Sequence, residues 1–550
     1  MKLKIKLRIL IVLLVSSFNG VIGQDKMPFL LQQYQADKGS LERFYVIEVS
    51  PERRSRFIDF NKEYLNKLTT YSFNALSQSD KVDYLLFKSQ LNAYLTDLNE
   101  EEANYQKTKN WVDFASIIYA QEKARRRGAS IDGEKTALSW NHLNKEIVIK
   151  MMELEKGPLL AKPMAMHINK TIKGYKKALK SINDFYNGYD PMYSWWTAQS
   201  LKKLDSAFDQ YQQLAIKRTD AATSQKLDKS GIVGNPIGAD AIENSLHNAF
   251  IPYNAQELIK IAEKEFAWCD AEMLKASREL GFGDNWKAAL EKVKNTYVPV
   301  GKQPEMIMDL YNQSIDFIKK NDMITIPPLA EETWRMIMMT PKQQLVSPFF
   351  LGGETLMISY PTDDMDDDAK LMSMRGNNPH FSRSTVHHEL IAGHHLEGFM
   401  NDRYKSYRNF ETPFWTEGWS LYWEFELWDK GFPRNAEDRI GMLFWRMHRC
   451  ARIIFSLNYH LEKWSPQECI DFLVDRVGHE RANAEGEVRR SFTGGYGPLY
   501  QLAYMIGALQ IRALKEEVVG SGKMTIKQFN DAVMKENNMP IEMLRALMIK

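Results

Sequence analysis

Cysteine is scarce. Cys269, Cys450 and Cys469 are all that 550 residues contain, a number too small and odd for a disulfide framework even in an oxidising compartment. An apolar core must hold the fold, with a Cys450–Cys469 bridge as one optional cross-link. An excess of charge of one sign is also missing. The 72 basic residues stand against 70 acidic ones, which removes the electrostatic basis for binding nucleic acid or another polyanion. Long apolar runs are absent as well: Ile9 to Val15 falls well short of the ~20 residues that a membrane span requires, so stable membrane insertion is not expected.

That short run still carries information. Lys2, Lys4, Lys6 and Arg8 precede it, and Val21-Ile22-Gly23 supplies short residues where a signal peptidase cuts, the pattern of a secretory signal. Residues 1–23 are read as that signal, with Gln24 starting the mature chain. With no cysteine near the cut to accept a lipid, a free periplasmic or secreted protein is expected.

What the sequence has in quantity is apolar material, 44% of all residues, ample for a large packed core, and its length suggests about two to four domains. From about Leu41 to Leu227 apolar residues recur at spacings of three and four, as in Tyr64, Leu65, Leu68 and Tyr71, then Tyr84, Leu85, Leu86, Leu91 and Tyr94, which predicts long amphipathic helices. Lys123 to Arg127 followed by Gly128 reads as a solvated helix end. Glycines and Pro236 interrupt the pattern at Ser230 to Gly238, placing a boundary between an N-terminal helical region, 24–235, and a second region, 236–550. The two are expected to form one continuous fold. Asn254 to Leu280 predicts a helix with Asn254 as N-cap and Gly281 as stop. The alternating stretch Gly353 to Tyr360 predicts a short strand, either ordinary or an edge to which an extended peptide adds. The acidic run Asp363 to Asp368 lacks the spacing of a calcium loop and reads as a solvated turn.

Chemistry concentrates further on. Of 11 histidines, four fall within the nine residues His387 to His395 around Glu389, and a cation that binds them neutral relieves their mutual repulsion. The common zinc-peptidase pattern sets two histidines four apart on one helix with a glutamate beside the first. Here His388 and His394 are six apart, ~600° and ~9 Å along an unbroken helix, too far for two nitrogens each ~2 Å from one ion. A bulge at Ala392-Gly393 would absorb the two extra residues. His388 and His394 then form the pair and His395 contacts substrate or supports the ligands, with His395 as the alternative partner. Trp415 to Glu424 predicts a second helix with Glu417 and Glu424 on one aromatic face. Carboxylates there are costly unless paired or metal-bound, so Glu417 is the candidate third ligand and Glu424 the group that orients a histidine.

These segments resemble the bacterial domain-of-unknown-function family 885, whose proteins are similar to helical zinc peptidases of the thimet oligopeptidase and M32 carboxypeptidase type. The likeness runs through Pro236-Ile237-Gly238, Ile251-Pro252-Tyr253, Glu265 to Cys269, Ala271 to Met273, Phe349 to Glu354 and Met374 to His380. It continues through the histidine cluster, Glu417-Gly418-Trp419, Glu487 to Arg490 and Tyr504 to Gly507. Ala392-Gly393 stands where the family commonly has Pro-Gly. The resemblance implies a mainly α, large helical zinc-peptidase-like fold with a deep cleft and a small β element beside the metal site. It supplies no substrate.

The residues then take expected roles. One Zn2+ per chain would sit on His388, His394 and Glu417, with Glu389 as general base. Tyr504 is the first candidate for an oxyanion donor, with Tyr496, Tyr500 and His460 as alternatives, and Arg490 would hold a peptide carboxylate or a structural glutamate. His387, like His395, is placed behind the ligands or against substrate. A short peptide is the expected substrate. The competing readings are a zinc hydrolase of a non-peptide amide or ester, and a non-catalytic metal- or peptide-binding protein. Nothing in the sequence sets an oligomeric state.

Overall fold

Helix starts follow the capping chemistry written in the sequence. Ser50, Ser77, Asp132 and Asp190 each accept a hydrogen bond from a backbone N–H two or three residues on, satisfying donors that the first turn leaves free. The computed structural model describes residues 26–219, 228–344, 347, 349–493 and 495–549; the expected signal, 1–23, lies outside them. The chain divides into two compact units, Met1–Lys226 and Leu227–Lys550, so the division falls ahead of the 235/236 boundary expected from the glycines.

In the first unit the described helices are α1 (Lys26–Phe44), α2 (Pro51–Thr69), α3 (Gln78–Val112), α4 (Ser116–Arg125), α5 (Gly133–Lys156), α6 (Lys162–Tyr186) and α7 (Pro191–Lys217). Helices α5 and α7 pack along each other, burying Trp140, Tyr193, Phe208 and Tyr211 in one apolar cluster. Helix α4 ends beside the basic run, and Gly128 turns the chain at φ 67°, as expected.

The second unit begins with α8 (Ala239–Asn248), α9 (Ala255–Glu279), α10 (Trp286–Lys294), α11 (Gln303–Lys320) and α12 (Pro328–Thr333). Asn254 and Glu257 form a capping box at the start of α9 and Gly281 follows its end at φ 84°, close to the expected bounds. Strand β1 (Arg335–Met338), α13 (Pro341–Gln344) and β2 (Thr355–Ile358) come next, and the two strands pair in parallel with Arg335 opposite Thr355. On its other side β2 is not free at Met357, which exchanges both backbone hydrogen bonds with Leu351. The edge expected at Gly353 to Tyr360 is therefore already taken at its centre. The acidic run starts α14 (Asp367–Gly376), with Asp366 as N-cap and Asp367 and Asp368 in the first turn, where carboxylates favour the helix dipole.

The remaining helices are α15 (Pro379–Glu389), α16 (His394–Asn401), α17 (Pro413–Asp429), α18 (Ala436–His460), α19 (Pro466–Phe472), α20 (Arg481–Thr493), α21 (Tyr500–Gly520), α22 (Ile526–Glu536) and α23 (Ile541–Met548). Helices α17 and α18 are buried almost all round, so they form the centre of this unit. Helix α17 crosses α21 at Gly418 and Gly507, where a Cβ on Gly507 would lie 2.0 Å from the Phe414 carbonyl oxygen. All three cysteines are buried and free. Cys450 lies beside Cys269 and Cys469 contacts the Phe455 carbonyl at 3.7 Å, so the optional Cys450–Cys469 bridge is not formed. No described helix is long and apolar enough to cross a membrane.

Candidate metal centre

The first helix of the site starts at Asn378, whose side chain caps α15 from His380 and Phe381 N–H, with Pro379 at the first position, where proline loses no hydrogen bond. It stops at Glu389. The chain then makes a wide turn closed by Gly393 N–H to His387 O at 3.0 Å and His395 N–H to Leu390 O at 3.1 Å, and α16 begins at His394. The break absorbs the two extra residues, as the spacing required. Only glycine fits at 393, because a Cβ there would lie 1.8 Å from the His388 carbonyl oxygen. From α17, the Trp419 indole donates to the Ala392 carbonyl at 2.8 Å, pairing a buried group that the break exposes.

This turn brings His394 back over His388, with ring centroids 4.9 Å apart and nearly perpendicular. Glu417, on the second turn of α17, completes the group: its Oε2 lies 3.6 Å from His388 Nε2 and 3.2 Å from His394 Nε2. One donor atom from each of the three residues falls within 4.8 Å of the others. Zinc bonds of ~2.0–2.1 Å in a tetrahedron put ligand atoms about 3.3 Å apart, so these separations suit one ion. Glu417 Oε2 is buried with no hydrogen-bond partner among the described residues, which marks it as the atom left for a cation. Burial pushes the Glu417 carboxyl up, but His394 and His388 outweigh it and hold it well below the usual range. Conversely, Glu417 and Glu397 keep His394 well above its ordinary value against the effect of burial.

The surroundings fix these side chains. His388 Nδ1 faces Glu424 Oε1 at 2.8 Å, and Glu424 also accepts from Ser384 at 2.9 Å. Burial would raise the Glu424 carboxyl, yet Arg449 and His388 bring it to about 2. Ser420 lies 3.2 Å from His394 Nδ1. The Tyr500 hydroxyl donates to Glu417 Oε1, leaving the other oxygen to face the histidines.

Glu389 sits at the end of α15 and lines a cavity of about 820 Å3 together with His388, His394, Glu417, Tyr500 and Tyr504. Burial raises its carboxyl above the usual range. The loop before β2 closes over it: Gly353 N–H donates to the Glu389 carbonyl at 3.1 Å, and a Cβ on Gly352 would lie 2.3 Å from Glu389 Oε2. Tyr504 stacks over His388 with centroids 6.1 Å apart. Arg490 lines the cavity and pairs with Glu487 at 2.8 Å.

Three of the expected residues, His395, His387 and His460, are not among those lining the cavity. The Nε2 of His395 contacts the Ala330 carbonyl at 2.7 Å, tying α16 to α12. His387 is fully buried with its ring edge-on to Phe432, and neither ring nitrogen has a hydrogen-bond partner among the described residues. His460 is buried at the end of α18 beside Tyr459 and Phe492 and is not among the residues lining the cavity. Arg449 and Arg452, which do line it, escaped the sequence reading. Their signal was present: Arg446, Arg449 and Arg452 recur at three-residue spacing among the apolar residues of one helix.

Comparison with known proteins gives a family and a fold. Residues 45–548 match the family described as "Bacterial protein of unknown function (DUF885)". The structure is similar to a "putative lipoprotein of unknown function" from Shewanella oneidensis, with TM-score 0.68 and 16% identity, covering 96% of this chain and 100% of that one. It is also similar to a "putative lipoprotein" from Colwellia psychrerythraea, with TM-score 0.58 and 15% identity over 95% of this chain and 98% of the other. No curated protein matches.

Proposed function

The chain belongs to the DUF885 family of bacterial proteins of unknown function, and from its own site we propose that it is an exported zinc-dependent hydrolase of short peptides. The observation that carries this is the convergence of His388, His394 and Glu417 within 4.8 Å beside a half-buried glutamate that follows the first ligand in sequence. Three protein donors leave one coordination position for water, the arrangement of a hydrolytic rather than a structural site. Zinc bound there polarises a carbonyl and lowers the pKa of a water towards ~7.

The chain's own groups do the rest. Glu389 takes the proton at a carboxylate oxygen and returns it to the leaving amine, a task suited to a carboxyl whose burial raises its pKa. Glu424 holds the His388 ring, and Tyr500 holds Glu417. Tyr504 lines the cavity against His388 and is assigned the hydrogen bond to the developing oxyanion. A space of about 820 Å3 is in the range that encloses small ligands, which favours peptides of a few residues over folded proteins. Export, to the periplasm or the medium, is supported by the pattern Lys2 to Gly23 and by neighbours described as lipoproteins.

Metal analysis and peptide digestion test the reading together. The purified protein is expected to carry about one zinc, His388→Ala to lose it, and Glu389→Gln to keep it while hydrolysis falls 10²–10⁴-fold, the usual contribution of a general base. Unchanged turnover in Glu389→Gln, or zinc retained in His388→Ala, would overturn it.

A further inference from the structure

We propose that Arg449, Arg452 and Arg490 form a subsite for a substrate carboxylate, so that the chain acts on peptides presenting a carboxylate next to the scissile bond. This rests on the peptidase reading of the same site. All three guanidiniums line the cavity although their residues are only 4, 2 and 8% exposed. Buried cations are costly unless paired, and here three of them share two carboxylates. Arg452 Nε and Arg490 Nε both use Glu487, at 2.7 and 2.8 Å. Arg449 reaches only Glu424, at 3.4 Å, and that carboxylate already serves His388 and Ser384.

A purely structural role accounts for part of this. Glu487 ties α20 to α18 through Arg452 and holds Arg490 one turn on along its own helix, and needs no substrate. It does not account for the N–H groups left over: Arg449 Nε and Arg452 Nη1 are buried without a hydrogen-bond partner among the described residues. The neighbouring His448 and His479 add no anion to balance the charge, since they contact each other at 2.8 Å in a fully buried pair. Guanidinium N–H groups are therefore left over on this wall, and a planar guanidinium fork suits a carboxylate better than any neutral group.

The position relative to the ligands is also defined. Arg449 and Arg452 lie over the Tyr504 ring at 4.7 and 4.3 Å, and the same ring stacks on His388. The cationic wall is thus separated from a metal ligand by one aromatic ring, close enough for the carboxylate of a short peptide to reach it while a nearby amide faces Glu389. In a peptide that carboxylate is either the C-terminus or an Asp or Glu side chain.

A matched set of peptides separates these cases: a neutral pentapeptide with a free C-terminus, its C-terminal amide, and the amide with glutamate as last residue. The wild-type protein with zinc is expected to cleave the free acid at least tenfold faster, in kcat/KM, than the neutral amide. Recovery with the glutamate amide identifies side-chain recognition, and its absence identifies the C-terminus. Arg449→Gln should lower cleavage of the acid more than that of the amide, so that the acid-to-amide ratio in kcat/KM falls towards one. Binding of the same peptides to Glu389→Gln, followed by calorimetry, should show the same tenfold preference without turnover. Equal handling of acid and amide by the wild type, in rate and binding, would overturn the subsite while leaving the peptidase reading intact. Preference in binding with no cleavage of any peptide would retain the subsite and remove the peptidase.

Discussion

His388 Nδ1 lies 2.8 Å from Glu424 Oε1, and Nε2, 3.6 Å from Glu417 Oε2, faces the candidate metal position. The Glu424 carboxylate draws the ring proton to Nδ1 and leaves the Nε2 lone pair towards the candidate metal position, the tautomer a ligand needs. Removing that partner costs 10–100-fold in metal affinity in comparable sites. Glu424→Gln is therefore expected to weaken zinc binding by that factor while His395→Gln, which alters the tie to Ala330 and the contact with Phe399, keeps it. Competition with a chromophoric chelator measures both, and equal affinity in wild type and Glu424→Gln would remove the orienting role. The candidate ligands were legible in the sequence because four histidines around a glutamate have few stable uses. Which neighbouring histidine turns inward was not, since His394 and His395 differ by ~100° on a helix and only the break before them sets the phase.

At the scale of elements, two close contacts decide whether these side chains meet. The break between α15 and α16 was readable from the six-residue spacing and Gly393, although the indole of Trp419 that supports it comes from another helix. The crossing of α17 and α21 was not readable. Glu417-Gly418 and Ile506-Gly507 look like ordinary helical glycines until the helices are seen to touch there, and that contact places Tyr500 against Glu417. A Cβ on Gly507 meets backbone at 2.0 Å, which no rotamer relieves, and overpacking of this kind typically costs about 1–3 kcal/mol. Gly507→Ala should lower the urea midpoint accordingly and weaken zinc binding, whereas Gly520→Ala at the exposed end of the same helix, where a Cβ meets nothing within 4 Å, should be neutral or slightly stabilising. Equal midpoints for the two variants would show that the crossing tolerates a methyl group. The short β pair illustrates the opposite limit: alternation located β2, but its pairing with Leu351 depends on a turn that the pattern does not specify.

For the second unit as a whole, buried ionisable groups set a pH range for stability. Burial lowers His460 to about 4 and His479 to about 3, whereas the unfolded chain protonates near 6.5. The unfolded state therefore binds these protons first, so stability is full above about pH 6.5 and is lost as pH falls towards the folded values. Glu487 adds a second, more acidic loss. Burial pushes its carboxyl up, but Arg452 and Arg490 outweigh that and hold it at about 2, so its contribution is present above the unfolded value of 4.5 and disappears as pH drops towards 2. Urea midpoints measured with a chelator present, so that release of metal plays no part, are expected to fall steadily from pH 6.5 to 4. His460→Leu removes one of the titrating groups without breaking a side-chain hydrogen bond, since His460 Nδ1 has no partner among the described residues, and should flatten that slope. A midpoint constant from pH 7 to 4.5 in the wild type would mean that these histidines accept protons in the folded state as readily as in the unfolded one, and that the unit opens to water around them.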